Sequence, residues 1–139
     1  MLNLFFIFLG GAIGSGIRFG ILSIFHSFIA TFVANIIGCF LFGVFVVIIL
    51  KKKKHIPKYF SLALTTGFCG GLTTFSTFSY EVTFYIMQNR YIFAAYYIFL
   101  SLFVGIISVY VGIELGRVLL KLHLDKRRSI LHKEFIEGK

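Results

Sequence analysis

Charge is scarce in this sequence, and acidic residues are scarcer than basic ones. Only 14% of the 139 residues are Asp, Glu, Lys or Arg, whereas a soluble domain carries about 25%. There are 5 acidic and 14 basic residues, and 58% of the chain is hydrophobic. This composition excludes an ordinary soluble domain and predicts a membrane protein.

Proline, cysteine and clustered metal ligands are also sparse. The one proline, Pro57, and the lack of low-complexity tracts give no sign of a second domain. Cys39 and Cys69 both lie in apolar segments, and we interpret them as small buried hydrophobic residues. The sequence has no zinc-type ligand cluster, no nucleophile elbow and no phosphate-binding loop, so we predict that it is not an enzyme.

Long apolar runs account for most of the chain. About 20 apolar residues are needed to cross a bilayer, and the third run is long enough to contain an unwound stretch. We therefore predict an all-α membrane protein of four transmembrane helices, the third broken near its middle. Residues 1–116 form the membrane domain and residues 117–139 a basic tail. The four predicted spans are residues 2–25, 28–50, 59–87 and 91–113.

Residues 67–81, GFCGGLTTFSTFSYE, are the most informative stretch. Irregular backbone survives in a membrane only where it is buried in protein or lines a wet cavity. A glycine-rich interruption followed by a polar stripe is typical of an ion path. The alternative is a seam of small residues for close helix packing. Three glycines are followed by five hydroxyl residues: Thr73, Thr74, Ser76, Thr77 and Ser79.

Two other helices carry polar residues on one face. Thr31 and Asn35 are four residues apart in the second span, as are Tyr97 and Ser101 in the fourth. A single membrane Asn can simply bond to a neighbouring helix, but three polar faces favour a shared conduit. Glycines spaced by four residues predict close backbone packing, at Gly10/Gly14, Gly16/Gly20, Gly67/Gly71 and Gly112/Gly116.

These motifs resemble the CrcB/Fluc family of fluoride channels. The resemblance rests on residues 67–81, on GGAIGSGIRF at residues 10–19 and on TFVANIIGCF at residues 31–40, and covers residues 5–113. It implies an antiparallel dimer with two pores that carries fluoride passively out of the cytoplasm and so reduces fluoride toxicity. It also implies a structural sodium ion at the centre of the dimer.

The resemblance also implies roles for individual residues. Backbone carbonyls of Gly70 and Thr73 match the sodium ligands, and Phe75 and Phe78 match phenylalanines that face the anion. By spacing alone, two phenylalanines among 19 favour ordinary packing, but their place directly after the break favours the pore. The role of Glu81 is left open. The other matching or continuing pore residues are Asn35, Arg18, Tyr97, Ser101, Ser76 and Thr77.

The residue types suit fluoride, which is small and tightly hydrated. A pore must replace its water with compact donors such as amides and hydroxyls, and the positive edge of a phenyl ring can meet an anion without trapping it. Two other functions remain open. A proton-coupled multidrug exporter needs a carboxylate on the first helix, which has Arg18 and no acid. The second alternative function is that of a non-conducting subunit of a heterodimer.

Basic residues are unevenly distributed along the chain. Only Arg90 lies on the side opposite the basic segments, so the positive-inside rule predicts cytoplasmic termini in the plasma membrane. Such a bias favours an antiparallel dimer with a paralogue, with a homodimer as the alternative. We expect the tail to meet anionic lipid and no nucleic acid. The basic segments contain Lys51, Lys52, Lys53, Lys54 and Lys58, and Arg117, Lys121, Lys126, Arg127, Arg128, Lys133 and Lys139.

This charge bias predicts that the chain expressed alone inserts in one orientation, because Lys and Arg in short loops set topology. The purified single chain should then conduct poorly and gain activity with a paralogue of opposite bias. Labelling a Lys133→Cys variant in intact cells measures the orientation. Full activity of the single chain, together with labelling of the thiol from both sides of the membrane, would favour the homodimer instead.

Overall fold

The computed structural model describes residues 1–25, 28–52 and 55–137, with side chains up to Asp125. Every regular element in these ranges is helical and none is a strand, which confirms the predicted all-α class. The predicted turn at residues 26 and 27 lies outside the described residues. The elements are α1 (Leu2–Ile24), α2 (Phe28–Lys51), α3 (Lys58–Leu62), a π-helical segment (Ala63–Cys69), α4 (Gly70–Leu72), α5 (Phe75–Met87) and α6 (Tyr91–Glu137).

Three helices in the described part of the chain are long and apolar enough to cross a membrane. They are α1, α2 and the stretch Tyr91–Asp125 of α6, with mean hydropathies of 1.7, 2.8 and 2.3. Their outer faces carry large exposed apolar side chains, including Phe8, Phe19 and Phe99, each more than 70% exposed. Exposed apolar surface of this extent is typical of membrane contact, so the chain is a membrane protein.

The third predicted span, residues 59–87, is not a single helix. A helical run continues from Lys58 through the π-helical segment to Leu72, because the residues that join its parts keep helical backbone angles. Thr73 and Thr74 are then extended, with ψ of 157° and 122°, and α5 starts at Phe75. The sequence did not reveal the π-helical segment, a feature that occurs frequently at functional sites.

Helix α1 packs along the Lys58–Leu72 run, and glycines make the approach close. A Cβ atom at Gly10 or Gly14 would collide with the carbonyl oxygen of Ala63 or Phe68. A Cβ at Gly71 would collide with the backbone of α1 in the same way. These contacts leave no room for side chains, so the two backbones touch directly, as predicted from the spacing.

Helix α2 packs mainly along α6. Gly43 and Gly112 face the opposite backbone so closely that a Cβ on either would clash with it. The Ser108 hydroxyl donates to the Ile36 carbonyl at 2.9 Å, which ties α6 to α2. Gly16 and Gly20 differ from the other predicted glycine pairs, because no heavy atom lies within 4 Å of a Cβ built at either one.

The turn between α5 and α6 is short and tight. It consists of residues 88–90, and Asn89 has a positive φ of 59°, which asparagine tolerates better than most residues. Beyond it, α6 continues without interruption past position 113 to Glu137. The two cysteines are free, with Cys69 buried and Cys39 half-buried.

The packing of α1 predicts a contrast between two glycines on that helix. Gly14→Ala should lower the free energy of unfolding by about 1–3 kcal/mol, because its methyl group meets the Phe68 carbonyl. Gly16→Ala should be neutral or slightly stabilising, because the space beside Gly16 is open and alanine favours helix. Thermal unfolding in detergent measures both. Equal effects would mean that α1 does not pack in this register.

Candidate functional site

The extended residue Thr74 is fixed by Asn35 on α2. Its N–H donates to Asn35 Oδ1 at 2.7 Å, and its carbonyl accepts from Asn35 Nδ2 at 3.1 Å. The Thr74 hydroxyl accepts from the N–H of Thr77 at 3.3 Å and so caps the start of α5. Both backbone polar groups of Thr74 are therefore satisfied by one side chain from another helix, which holds the break open.

Gly71, on the other side of the break, is fixed by α1. Its carbonyl accepts from Arg18 Nε at 3.1 Å and from the Ser15 hydroxyl at 3.3 Å. The sequence pointed to Arg18 as a pore residue but did not point to Ser15, although both belong to the same GSGIR motif. In the structure these two side chains lie at the break, and α1 and α2 each hold one of its ends.

Several backbone carbonyls at the break lose their helical partners, among them those of Gly70 and Thr73. In an uninterrupted helix the Gly70 carbonyl accepts from residue 74 and the Thr73 carbonyl from residue 77. Here the Thr74 N–H goes to Asn35 and the Thr77 N–H to the Thr74 hydroxyl. Within the described ranges no hydrogen bond to either carbonyl is present. Gly70 is exposed, and a Cβ built on it meets nothing within 4 Å.

Three hydroxyl groups surround the first turn of α5. The Thr74 hydroxyl lies 3.2 Å from that of Ser76 and donates to that of Thr77 at 3.1 Å. Ser76 is exposed and Thr77 half-buried. The predicted pore residues Ser76 and Thr77 therefore form one hydrogen-bonded cluster with Thr74.

Two aromatic residues project from the same turn with different exposure. Phe75 is 79% exposed, whereas Phe78 is half-buried. Their ring centroids lie 6.0 Å apart, and that of Phe78 lies 5.2 Å from Tyr97 on α6. Phe78 therefore packs against other residues of the chain, while the ring of Phe75 lies exposed on the surface of the chain.

Glu81 lies between α2 and α6, and both of its oxygens accept hydrogen bonds. Thr31 donates to Oε1 and Tyr97 to Oε2, each at 2.7 Å. Thr31 is fully buried and Tyr97 is 5% exposed. A carboxylate that accepts from two hydroxyls is well satisfied in its ionised form. The spacing of Thr31 and Asn35 had indicated a polar face, but not that Glu81 is its partner.

A cavity opens beside this carboxylate. It has a volume of about 250 Å³ and is lined by Thr77, Glu81 and four aromatic residues. Ser101, one turn beyond Tyr97 on α6, makes no hydrogen bond to this group. Its hydroxyl oxygen is buried and has no partner among the described residues. The polar residues of three helices thus form a nearly continuous row, apart from Ser101.

Comparison with known proteins identifies relatives over most of the chain. The sequence profile of the family described as CrcB-like protein, Camphor Resistance (CrcB), matches residues 5–113. A "Fluoride-specific ion channel FluC" of Gloeothece citriformis is 42% identical over 83% of this chain and 97% of its own length. A protein of the same name from Flavobacterium psychrophilum is 37% identical over 86% and 100%. "Fluoride-specific ion channel FluC 2" of Staphylococcus saprophyticus is 38% identical over 80% and 93%.

The Glu81 contacts predict a difference between two adjacent tyrosines. Tyr97→Phe removes the donor to Glu81 Oε2 and should lower the free energy of unfolding by about 1–3 kcal/mol, because a partly buried carboxylate oxygen loses its partner. Tyr96→Phe is the control, since Tyr96 is 64% exposed. Thermal unfolding of both variants measures the difference. Equal unfolding midpoints for Tyr97→Phe and Tyr96→Phe would show that the hydrogen bond between Tyr97 and Glu81 does not stabilise the fold.

Proposed function

Because the chain belongs to the CrcB family, we propose that it is a fluoride-specific ion channel, the activity named for its relatives. It carries fluoride passively out of the cytoplasm and thereby reduces fluoride toxicity. The observation that supports this most directly is the break at Thr73–Thr74, where polar groups from three helices meet inside apolar segments. Such an arrangement is costly in a membrane and is typical of an ion pathway.

The fluoride path follows the row of polar and aromatic side chains on α2, α5 and α6. Asn35 has two amide protons, and only one is donated to Thr74, so the second is available to an anion. The buried hydroxyl of Ser101 is a further donor without a partner among the described residues. The rings of Phe75 and Phe78 offer their positive edges. The remaining proposed pore residues are Ser76, Thr77 and Tyr97.

Tyr97 contributes to this path in a restricted way. A phenol has one proton, and Tyr97 donates it to Glu81, so the same proton is not available to fluoride in this arrangement. Its ring lies against Phe78 and continues the aromatic wall. An ionised Glu81 at this end of the row would repel an anion. The two hydroxyl donors offset part of that charge.

We also propose that the carbonyls of Gly70 and Thr73 hold a structural sodium ion. The donor set fits, because hard cations prefer oxygen ligands and both carbonyls have lost their helical partners. Unwound backbone supplies carbonyl ligands for sodium in other membrane proteins. With two carbonyls from each subunit of a two-fold dimer, the ion would fix the two breaks against each other.

The Lys58–Leu72 run and α5 act together as the third, broken transmembrane helix. Helix α5 has 13 residues and rises about 20 Å, and the preceding run rises about 22 Å, at about 1.5 Å per residue. Each half is shorter than the hydrocarbon core of about 30 Å. The two halves together are long enough, so the chain has four spans and places the break inside the membrane.

The exposed ring of Phe75 and the exposed backbone of Gly70 are covered by a second, antiparallel subunit. The uneven distribution of basic residues favours a paralogue as that subunit and cytoplasmic termini in the plasma membrane. The numbered name of the Staphylococcus relative, FluC 2, supports the occurrence of paralogous chains. A homodimer is the alternative.

Reconstitution into liposomes tests this function against its two rivals. A fluoride channel gives rapid fluoride efflux, little chloride efflux and no coupling to protons. Drug-driven proton flux would identify an exporter, and the absence of any flux, with and without a paralogue, would identify a structural subunit. Empty liposomes and liposomes with an unrelated membrane protein serve as controls.

The two phenylalanines give a test of the path itself. Phe75→Ile and Phe78→Ile should each reduce fluoride efflux by about tenfold or more, which corresponds to about 1.4 kcal/mol on the barrier. The aliphatic side chain keeps bulk but lacks the positive ring edge. Phe99→Ile is the control, because Phe99 lies on the outer face of α6 and is 73% exposed. Wild-type efflux in both α5 variants would assign the rings to packing.

A further inference from the structure

Arg18 is the only charged side chain within the apolar helix α1. A charge in the middle of a membrane helix is expensive and needs a partner or water. Arg18 is half-buried, and its Nε donates to the Gly71 carbonyl at 3.1 Å. The contact uses one of the five N–H donors of the guanidinium, so its role as a hydrogen bond can be tested separately from the charge.

We propose that Arg18 is a positioning residue that acts as a hydrogen-bond donor to the broken helix, and that the channel does not depend on its charge to attract the anion. By holding Gly71, it determines which carbonyls at the break stay open to a cation. This inference rests on the proposed channel function and its sodium site, and it assigns Arg18 to the frame of that site instead of to the anion path.

The register of α1 brings the donors to this carbonyl. Gly11, Ser15 and Arg18 lie on one face of the helix, at intervals of four and three residues. Gly71 packs so tightly on Gly11 that a Cβ there would clash with the α1 backbone. Ser15 and Arg18 follow on the same face, and both donate to the Gly71 carbonyl. Backbone packing at one turn therefore fixes the hydrogen bonds in the next turns.

The hydrogen bonds from Arg18 and Ser15 also make the Gly71 carbonyl different from the neighbouring carbonyls at the break. In an uninterrupted helix the Gly71 carbonyl accepts from the N–H of residue 75, and the break removes that donor. Four carbonyls, those of Gly70, Gly71, Leu72 and Thr73, are then left without helical partners. Arg18 and Ser15 satisfy the second of them, so the lone pairs of that oxygen are already used in hydrogen bonds. The carbonyls of Gly70 and Thr73 are left free, as is that of Leu72, a residue that is only 1% exposed.

A set of three variants separates hydrogen bonding from charge. Arg18→Gln places an amide nitrogen the same number of bonds from the backbone as Arg Nε, so it keeps the donor and removes the charge. Arg18→Met removes both at similar length, and Arg18→Lys keeps the charge but moves the donor outward. Arg90→Gln, in the exposed turn after α5, controls for loss of a positive charge elsewhere.

Two measurements are made on each purified protein, reconstituted with its partner subunit where one is required. The first is fluoride efflux from liposomes. The second is the thermal unfolding midpoint in detergent across a sodium titration, with N-methylglucamine as the replacement cation. The sodium concentration for half-maximal protection reports on the break independently of flux.

We expect Arg18→Gln to stay within about twofold of wild type in efflux, whereas Arg18→Met should lose about tenfold or more. Arg18→Met should lower the unfolding midpoint by about 5 °C and raise the protective sodium concentration by about tenfold. A merely structural contact would lower the midpoint equally at every sodium concentration. The donor role is supported if Arg18→Gln, but neither Arg18→Met nor Arg18→Lys, keeps wild-type efflux and the wild-type sodium dependence.

Three results would overturn the proposal. The first is full activity of Arg18→Lys with loss in Arg18→Gln, which would show that the charge matters. The second is loss of fluoride efflux in both Arg18→Lys and Arg18→Gln, which would show that a donor without charge is insufficient. The third is wild-type behaviour of Arg18→Met. If wild-type protein carries no fluoride, the proposed function fails, yet the sodium titration of the same variants still decides the role of Arg18.

Discussion

Backbone groups in the hydrocarbon region of a membrane must find partners within the protein, and the break at Thr73–Thr74 creates the greatest demand for them in this chain. Its N–H and carbonyl groups would cost several kcal/mol each if left bare in lipid. The chain meets part of the demand with side chains from two other helices. Asn35 satisfies the Thr74 peptide, and Arg18 with Ser15 satisfies Gly71. The positions of α1 and α2 are thereby tied to the break.

This requirement also explains why so many glycines lie on α1 and on the run before the break. Arg18 and Ser15 reach Gly71 only if the two backbones come within contact distance, and a single methyl group at Gly14 or Gly71 would prevent that. Glycine normally destabilises a helix by about 1 kcal/mol relative to alanine. Here that cost is offset by polar contacts that a wider separation would lose.

The sequence was informative about properties that depend on spacing along one chain segment. Apolar length predicted the three long apolar helices that the structure shows, and the hydroxyl run after the glycines predicted the polar stretch around Thr74. It could not predict which atoms meet across helices, because that depends on rotation and register between helices. The partner of Arg18 and both partners of Glu81 were missed for this reason. The π-helical segment Ala63–Cys69 adds a further shift in register that no periodic pattern encodes.

The same hydrogen bonds that stabilise the fold limit what each polar group can offer an ion. Tyr97 gives its one proton to Glu81, and Asn35 gives one of two amide protons to Thr74. In the proposed channel, what remains for an anion is one amide proton of Asn35, the hydroxyl protons of Ser101 and Thr77, and the edges of two phenyl rings. This is a sparse and weak set of donors. A sparse set is what passive conduction needs, because an ion must be bound well enough to enter and weakly enough to leave.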